Sequence, residues 1–324
     1  MDEIRAHRDV IRVEADKPVY IRTKRHEKRD IITQKVDNPF DPKTIFSWGL
    51  EAVSHRKFTE NYEYIYSSRA GNGTYAYVVD SGVRATHIEY KGCVVNGFSA
   101  FNKSGVADFI DNVGHGTHVA GTIAGTGVGV SKLATIVAVK VVDQASSNSG
   151  ANVLKNKRQT KAVINISLEA DYSQTMNDLV EKASKDNVIF AVGAGNYSPA
   201  SAKSALTVSS IQYGWSMDEN YANYGTAVDI LAPGDSIFSA DYVADDKYVN
   251  LDGTSMVAPH VASLVLYYMS VEGISGTDAL TKRILATATK DKVGGNLRGS
   301  PNLLANNNNP KEKNPPPRIF GMSG

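Results

Sequence analysis

Apolar residues fall into short blocks separated by polar turns. Tyr75 to Val79, Ile136 to Val142, Ala162 to Ser167 and Val188 to Val192 have the length and β-branched content of buried strands. Residues 115 to 125 and Asp178 to Ser184 carry helical spacing, and the apolar run Val261 to Met269 follows a Ser and a Pro of the kind that open helices. Strands and helices in alternation predict an α/β fold, a parallel sheet with helices on both faces. Such sheets gather ligands at the carboxyl ends of their strands, where Asp80 and Asn196 fall. Upstream, Val10 to Glu14 and Val19 to Ile21 read as short strands, leading into the charged stretch Arg22 to Asp30, which Glu27 and Asp30 mark as a solvated linker. Pro39 and Pro42 break the pattern before Trp48. Residues 306 to 324, with Asn306 to Asn309 and Pro315 to Pro317, lack apolar periodicity and are predicted to be a disordered tail.

Composition narrows the choice of partners. The 324 residues suffice for one large domain, and 35 Lys and Arg against 34 Asp and Glu leave no global field for a polyanion, so nucleic acid is not an expected partner. The longest apolar run is too short to span a bilayer, so no membrane is expected either. A single cysteine, Cys93, excludes an internal disulfide and says nothing about compartment. Met1 to Arg5 lacks a secretory pattern, so the chain as written carries no export address.

Three short stretches carry chemistry: Val78-Val79-Asp80-Ser81-Gly82, Gly114-His115-Gly116-Thr117-His118 and Gly253-Thr254-Ser255-Met256. A serine hydroxyl needs a neutral imidazole to take its proton and a carboxylate to orient that imidazole, the roles open to Ser255, His115 and Asp80. Taken alone, each has a plainer reading: Asp80 as a turn former, Ser255 as a helix cap, Asn196 after Gly195 as a turn residue. The three contexts together favour the catalytic reading. Asn196, delivered from the strand end Phe190 to Gly195, then supplies an oxyanion donor alongside the backbone N–H of Ser255. His118 invites a metal pair with His115, but no Glu lies between them and no third ligand is evident, so no metal is assigned.

With these motifs in hand, residues from about Trp48 to Asn308 resemble the proteinase K-like branch of the subtilisin-like serine proteases, peptidase family S8, near the fungal alkaline proteases. Trp48-Gly49-Leu50, Tyr197-Ser198-Pro199-Ala200-Ser201, Ala232-Pro233-Gly234 and Gly299 to Leu304 add to the match. The resemblance implies a three-layer α/β/α fold and serine endopeptidase activity on proteins and peptides. It also implies a monomer without a cofactor; structural calcium is common among such relatives, but the Asp expected near Ser210-Ile211-Gln212 is missing, so no calcium ligand is carried over. The family is made as precursors, so residues 1–30 are read as the end of an inhibitory propeptide and linker, 31–305 as the catalytic domain, with a cut between about Arg29 and Trp48. An extracellular location follows from resemblance alone, with a vacuolar one as the alternative.

Three departures from the family pattern set up a second reading. Residues 143 to 161 are a crossover poor in apolar residues, expected to cover the sheet face incompletely. Ser167-Leu168-Glu169 places a carboxylate where the family has glycine, along the substrate-binding edge that with Gly195 walls the first specificity pocket. Asn196 runs directly into Tyr197-Ser198-Pro199, without the family's longer loop. The alternative is therefore a catalytically impaired relative with a binding role, or a defective gene product.

Overall fold

Tyr75–Asp80 (β3), an apolar run ending in a carboxylate, forms the centre of a parallel sheet in the computed structural model of the protein. The structure describes residues 30–36, 47–59, 61–143, 146–147, 161–169, 171–195 and 198–312. Two strands precede the sheet, Ile31–Lys35 (β1) and Glu63–Ser67 (β2), paired antiparallel. Its remaining strands are Val94–Ser99 (β4), Thr135–Lys140 (β5), Ala162–Ile166 (β6), Ile189–Gly193 (β7), Leu206–Gln212 (β8), Ile230–Pro233 (β9), Thr289–Lys290 (β10) and Leu303–Leu304 (β11). Their spatial order is β10-β11-β9-β8-β7-β6-β3-β5-β4, parallel throughout except for the β10–β11 pair, and the short strand Ser216–Met217 adds antiparallel to β8. From β3 the chain winds outward to β4 and β5 on one side and to β6 through β9 on the other. The crevice this reversal opens lies at the carboxyl ends of β3 and β6.

Alternate side chains of β3 enter different cores, Ala76 and Val78 one and Tyr77 and Val79 the other, as the period of a strand requires. Helices cover both faces. His115–Ala124 (α2) and Thr254–Val271 (α4) bury Val119, Ile123, Val261 and Val265 in the first core with β3, β8 and β9, joined by Thr277–Thr287 (α5). Gln174–Lys185 (α3) places Val180 and Ala183 against Ile164, Phe190 and Val192 on the other face. The result is the three-layer α/β/α architecture. Trp48–Ala52 (α1) is a single buried turn of helix.

Two expectations change. The helix read over Asp178 to Ser184 begins earlier, at Gln174, because the Ser173 hydroxyl accepts the Met176 N–H and caps it. The disordered tail does not begin at Asn306: Asn306, Asn307 and Asn309 are buried, and Pro310–Glu312 forms a 3-10 turn. Their side-chain amides serve buried main-chain carbonyls. Asn306 donates to His55 O at 2.7 Å, Asn307 to Ile65 O at 2.8 Å, and Asn309 to Ser54 O. The N-terminal strands read over residues 10–21, most of the crossover 143–161 and residues 313–324 lie outside the described residues. No described helix is long and apolar enough to cross a membrane.

Candidate active site

Asp80 ends β3 with its side chain 1 % exposed, one strand over from the end of β6. His115 is the first residue of α2, behind Gly114, whose φ of 97° is a backbone few other residues hold without strain. This placement brings the His115 Nδ1 to 2.8 Å from Asp80 Oδ1 and 2.9 Å from Oδ2. Asp80 Oδ1 also accepts the Ser81 N–H at 2.7 Å, so the carboxylate is held from both sides. A carboxylate at Nδ1 selects the tautomer that leaves Nε2 as the acceptor. Burial pulls the His115 pKa down, but the Asp80 charge and hydrogen bond, with Asp111 behind them, outweigh it and raise the pKa above 6.5.

Ser255 is the second residue of α4, after Gly253 with a φ of 126°. Ser167, immediately beyond β6, binds it twice: its carbonyl accepts from Ser255 Oγ at 2.9 Å, and its own Oγ donates to Ser255 O at 2.7 Å. Since Ile166 pairs with Val79, Ser167 and Asp80 are neighbours at the sheet edge, and the serine and the Asp–His pair share that edge. Among the described residues no hydrogen bond joins His115 to Ser255; the hydroxyl faces Ser167 instead. A rotation between staggered χ1 wells redirects such a hydroxyl.

A polar layer beneath the pair was not singled out from sequence. Asp111 accepts from Gly114 N–H at 2.8 Å, Ser81 Oγ at 2.9 Å and Thr117 Oγ1 at 2.6 Å, tying the start of α2 to the residue after Asp80. The Ser81 hydroxyl in turn accepts the Gly116 N–H at 2.9 Å. At Gly116 a Cβ would collide with Gly82 O and lie 3.1 Å from Asp80 Cβ, so only glycine admits this approach of helix to strand end. Fully buried Lys140, the last residue of β5, donates to Ile110 O and lies 4.0 Å from Asp108 Oδ2 and from Asp143 Oδ2, fixing the loop that carries Asp111. The available signal was a Lys inside an apolar strand and an Asp just ahead of Gly-His-Gly.

His118, the residue considered as a metal partner, points away: its Nε2 meets Ile237 O at 2.7 Å, and burial lowers its pKa to about 4. Among the described residues no cluster of three or more His, Cys, Asp or Glu is placed to hold a metal ion. Asn196, read as the oxyanion donor, lies outside the described residues; Gly195 before it is half-buried, as is Leu168, and Glu169 is exposed.

Comparison with known proteins places the chain in a family. Residues 71–321 match the model of the subtilase family, Peptidase_S8. The chain is 40% identical to "Alkaline protease 1" of Aspergillus oryzae over 95% of its own length and 75% of that protein's. It is 42% identical to "Subtilisin-like proteinase Mp1" of Magnaporthiopsis poae over 80% of its length and 69% of that protein's. A crystal structure of a cold-adapted subtilisin-like serine proteinase superposes with a TM-score of 0.72 at 34% identity, covering 79% of this chain and 96% of that one. The chain belongs to the subtilase family and has the subtilisin-like fold. By the same likenesses it is a serine endopeptidase, a hydrolase of the kind found among fungal alkaline proteases.

Proposed function

We propose that the peptide bond is cleaved by Ser255 as nucleophile, His115 as general base and then acid, Asp80 as the group that orients it, and Asn196 with the Ser255 N–H as oxyanion donors. Ser255 Oγ attacks the carbonyl carbon as its proton passes to His115 Nε2. The C–N bond then breaks with that proton delivered to the leaving amine, and water repeats the sequence on the acyl-enzyme. The observation that carries this reading is the Asp80–His115 pair, bonded at 2.8 and 2.9 Å on the sheet edge that also holds Ser255. Loss of the Asn196 amide is expected to cost about 3 kcal/mol in the barrier. Protein and peptide substrates lie along Ser167, Leu168, Glu169 and Gly195.

The chain acts as an extracellular monomer whose residues 1–30 belong to an inhibitory propeptide and linker. Since Ile31–Lys35 pairs with β2, a cut at the Arg29 end of the 29–48 window leaves that strand in the mature protein. A fluorophosphonate probe tests the nucleophile. Labelling of the wild type and none of Ser255→Ala is the expected result. An unlabelled wild type that is folded by circular dichroism would instead favour the impaired relative, which the Ser255 hydroxyl's bond to Ser167 O supports.

A further inference from the structure

Strand β6, Ala162–Ile166, is apolar except at Asn165, and the amide there is fully buried. Val163 enters the core that holds α2 and α4, whereas Ile164 enters the other, so the two-residue period of the strand turns Asn165 toward the α4 side. Among the described residues the Asn165 Oδ1 meets no donor, while its Nδ2 donates to the Ser167 hydroxyl at 3.0 Å. An apolar side chain of similar shape would bury there without leaving a carbonyl unpaired, so the contribution of the amide lies elsewhere than in stability.

The Ser167 hydroxyl passes the restraint on. It donates to Ser255 O at 2.7 Å, while the Ser167 carbonyl accepts from Ser255 Oγ at 2.9 Å. To reach His115 the Ser255 hydroxyl must leave Ser167 O, but the bond to Ser255 O can persist and hold the pivot about which the hydroxyl turns. A donor at Asn165 Nδ2 leaves the Ser167 hydrogen free for Ser255 O and polarises the hydroxyl that carries it. Asn165 is itself fixed in the sheet, between Val78 of β3 and Ala191 of β7. Val78 stands two residues ahead of Asp80, so one sheet position ties the nucleophile to the strand that carries the acid. We propose that Asn165 is a positioning residue for the nucleophile, acting through the Ser167 hydroxyl to hold the Ser255 main chain while the Ser255 side chain swings to His115. This inference rests on Ser255 being the nucleophile.

The test measures kcat and KM on one peptide for the wild type, Asn165→Leu, Ser167→Ala and the double variant, with active-site concentration taken from fluorophosphonate labelling. Asn165→Leu is expected to lower kcat by about ten- to a hundredfold, the scale of a displaced reacting group, with KM little changed. Ser167→Ala should lower kcat by a similar factor. The double variant should be no slower than the slower single one, since the amide acts only through the hydroxyl. Asn165→Ala repeats the kinetics without the bulk of Leu, and both Asn165 variants should stay folded, as urea unfolding in the Ser255→Ala background would show. An unchanged kcat, a double variant slowed by the product of the two single factors, or loss of the fold in both Asn165 variants overturns the role of Asn165 and leaves the nucleophile standing. Absence of labelling in folded wild type overturns the nucleophile, and this inference with it.

Discussion

At the scale of single residues, Asp111 joins structure to chemistry. One oxygen accepts from the Ser81 hydroxyl and the Gly114 N–H, the other from the Thr117 N–H at 2.9 Å and the Thr117 hydroxyl. Its charge adds to that of Asp80 in raising the His115 pKa against the pull of burial. Protonated His115 cannot accept the serine proton, so kcat/KM should climb with pH through an apparent pKa above 6.5, the unperturbed value. Asp111→Asn removes a negative charge that favours the imidazolium, so the acid limb of that profile should move to lower pH. The plateau should also fall, because the amide turns N–H groups toward the donors of α2. A limb that stays in place would reduce Asp111 to a helix cap. Asp80, His115 and Ser255 were legible because each sits in a distinctive local string. Asp111 was not, because a loop Asp is usually a turn former and its partners are spread over Ser81, Gly114 and Thr117.

At the scale of elements, α2 and α4 each carry a buried histidine held neutral. His118 faces Ile237 O at 2.7 Å and His260 faces Met256 O at 2.8 Å, and burial lowers both pKa values from 6.5 to about 4. In the unfolded chain these rings take up protons below pH 6.5, while in the fold they do so only near pH 4. Stability linked to them is therefore full above 6.5 and is lost as pH falls toward 4, by on the order of 3 kcal/mol for each ring. Urea unfolding of the inactive Ser255→Ala protein, in which self-digestion is removed, should show this loss between pH 7 and 4. A His260→Gln partner should show a shallower slope, and equal slopes would exclude the buried ring as a source. The same two helices show what periodicity conveys. Their apolar content predicted elements that pack on a sheet, whereas the start of α3 at Gln174 depended on a cap at Ser173 that no apolar pattern marks. Lys140 was likewise absorbed into an apolar strand; its role appears only once the 108–112 loop is folded over it.

At the scale of the whole molecule, the two ends of the described body lock each other. The segment after β11 returns to the turn that follows α1. Asn306 and Asn307 donate to His55 O and Ile65 O, the Asn307 N–H donates to Val53 O at 2.7 Å, and Tyr268 of α4 donates to Asn306 O at 2.6 Å. Arg56 adds bonds to Thr287 O and to Glu312 O at 3.2 Å, joining α5 to the same closure. A run of asparagines looks like a solvated tail by composition, since nothing in it seeks burial on hydrophobic grounds. What holds it is the reverse need, that buried carbonyls of residues 53–55 and 65 find donors. That need belongs to partners some 240 positions away, and was therefore illegible from the local sequence, although the layered sheet itself was legible from short apolar runs. Asn307→Ala should lower stability by about 1–3 kcal/mol through the Ile65 carbonyl left without its amide. Ending the chain at Ala305 removes the Asn306, Asn307 and Asn309 donors together and leaves Tyr268 and Arg56 without their acceptors there, a loss comparable with the roughly 5–15 kcal/mol that holds a typical domain folded. Measured by urea unfolding in the Ser255→Ala background, the shortened chain should be unfolded or nearly so at room temperature. A midpoint equal to that of the full chain would show that the segment merely lies on the body and does not close it.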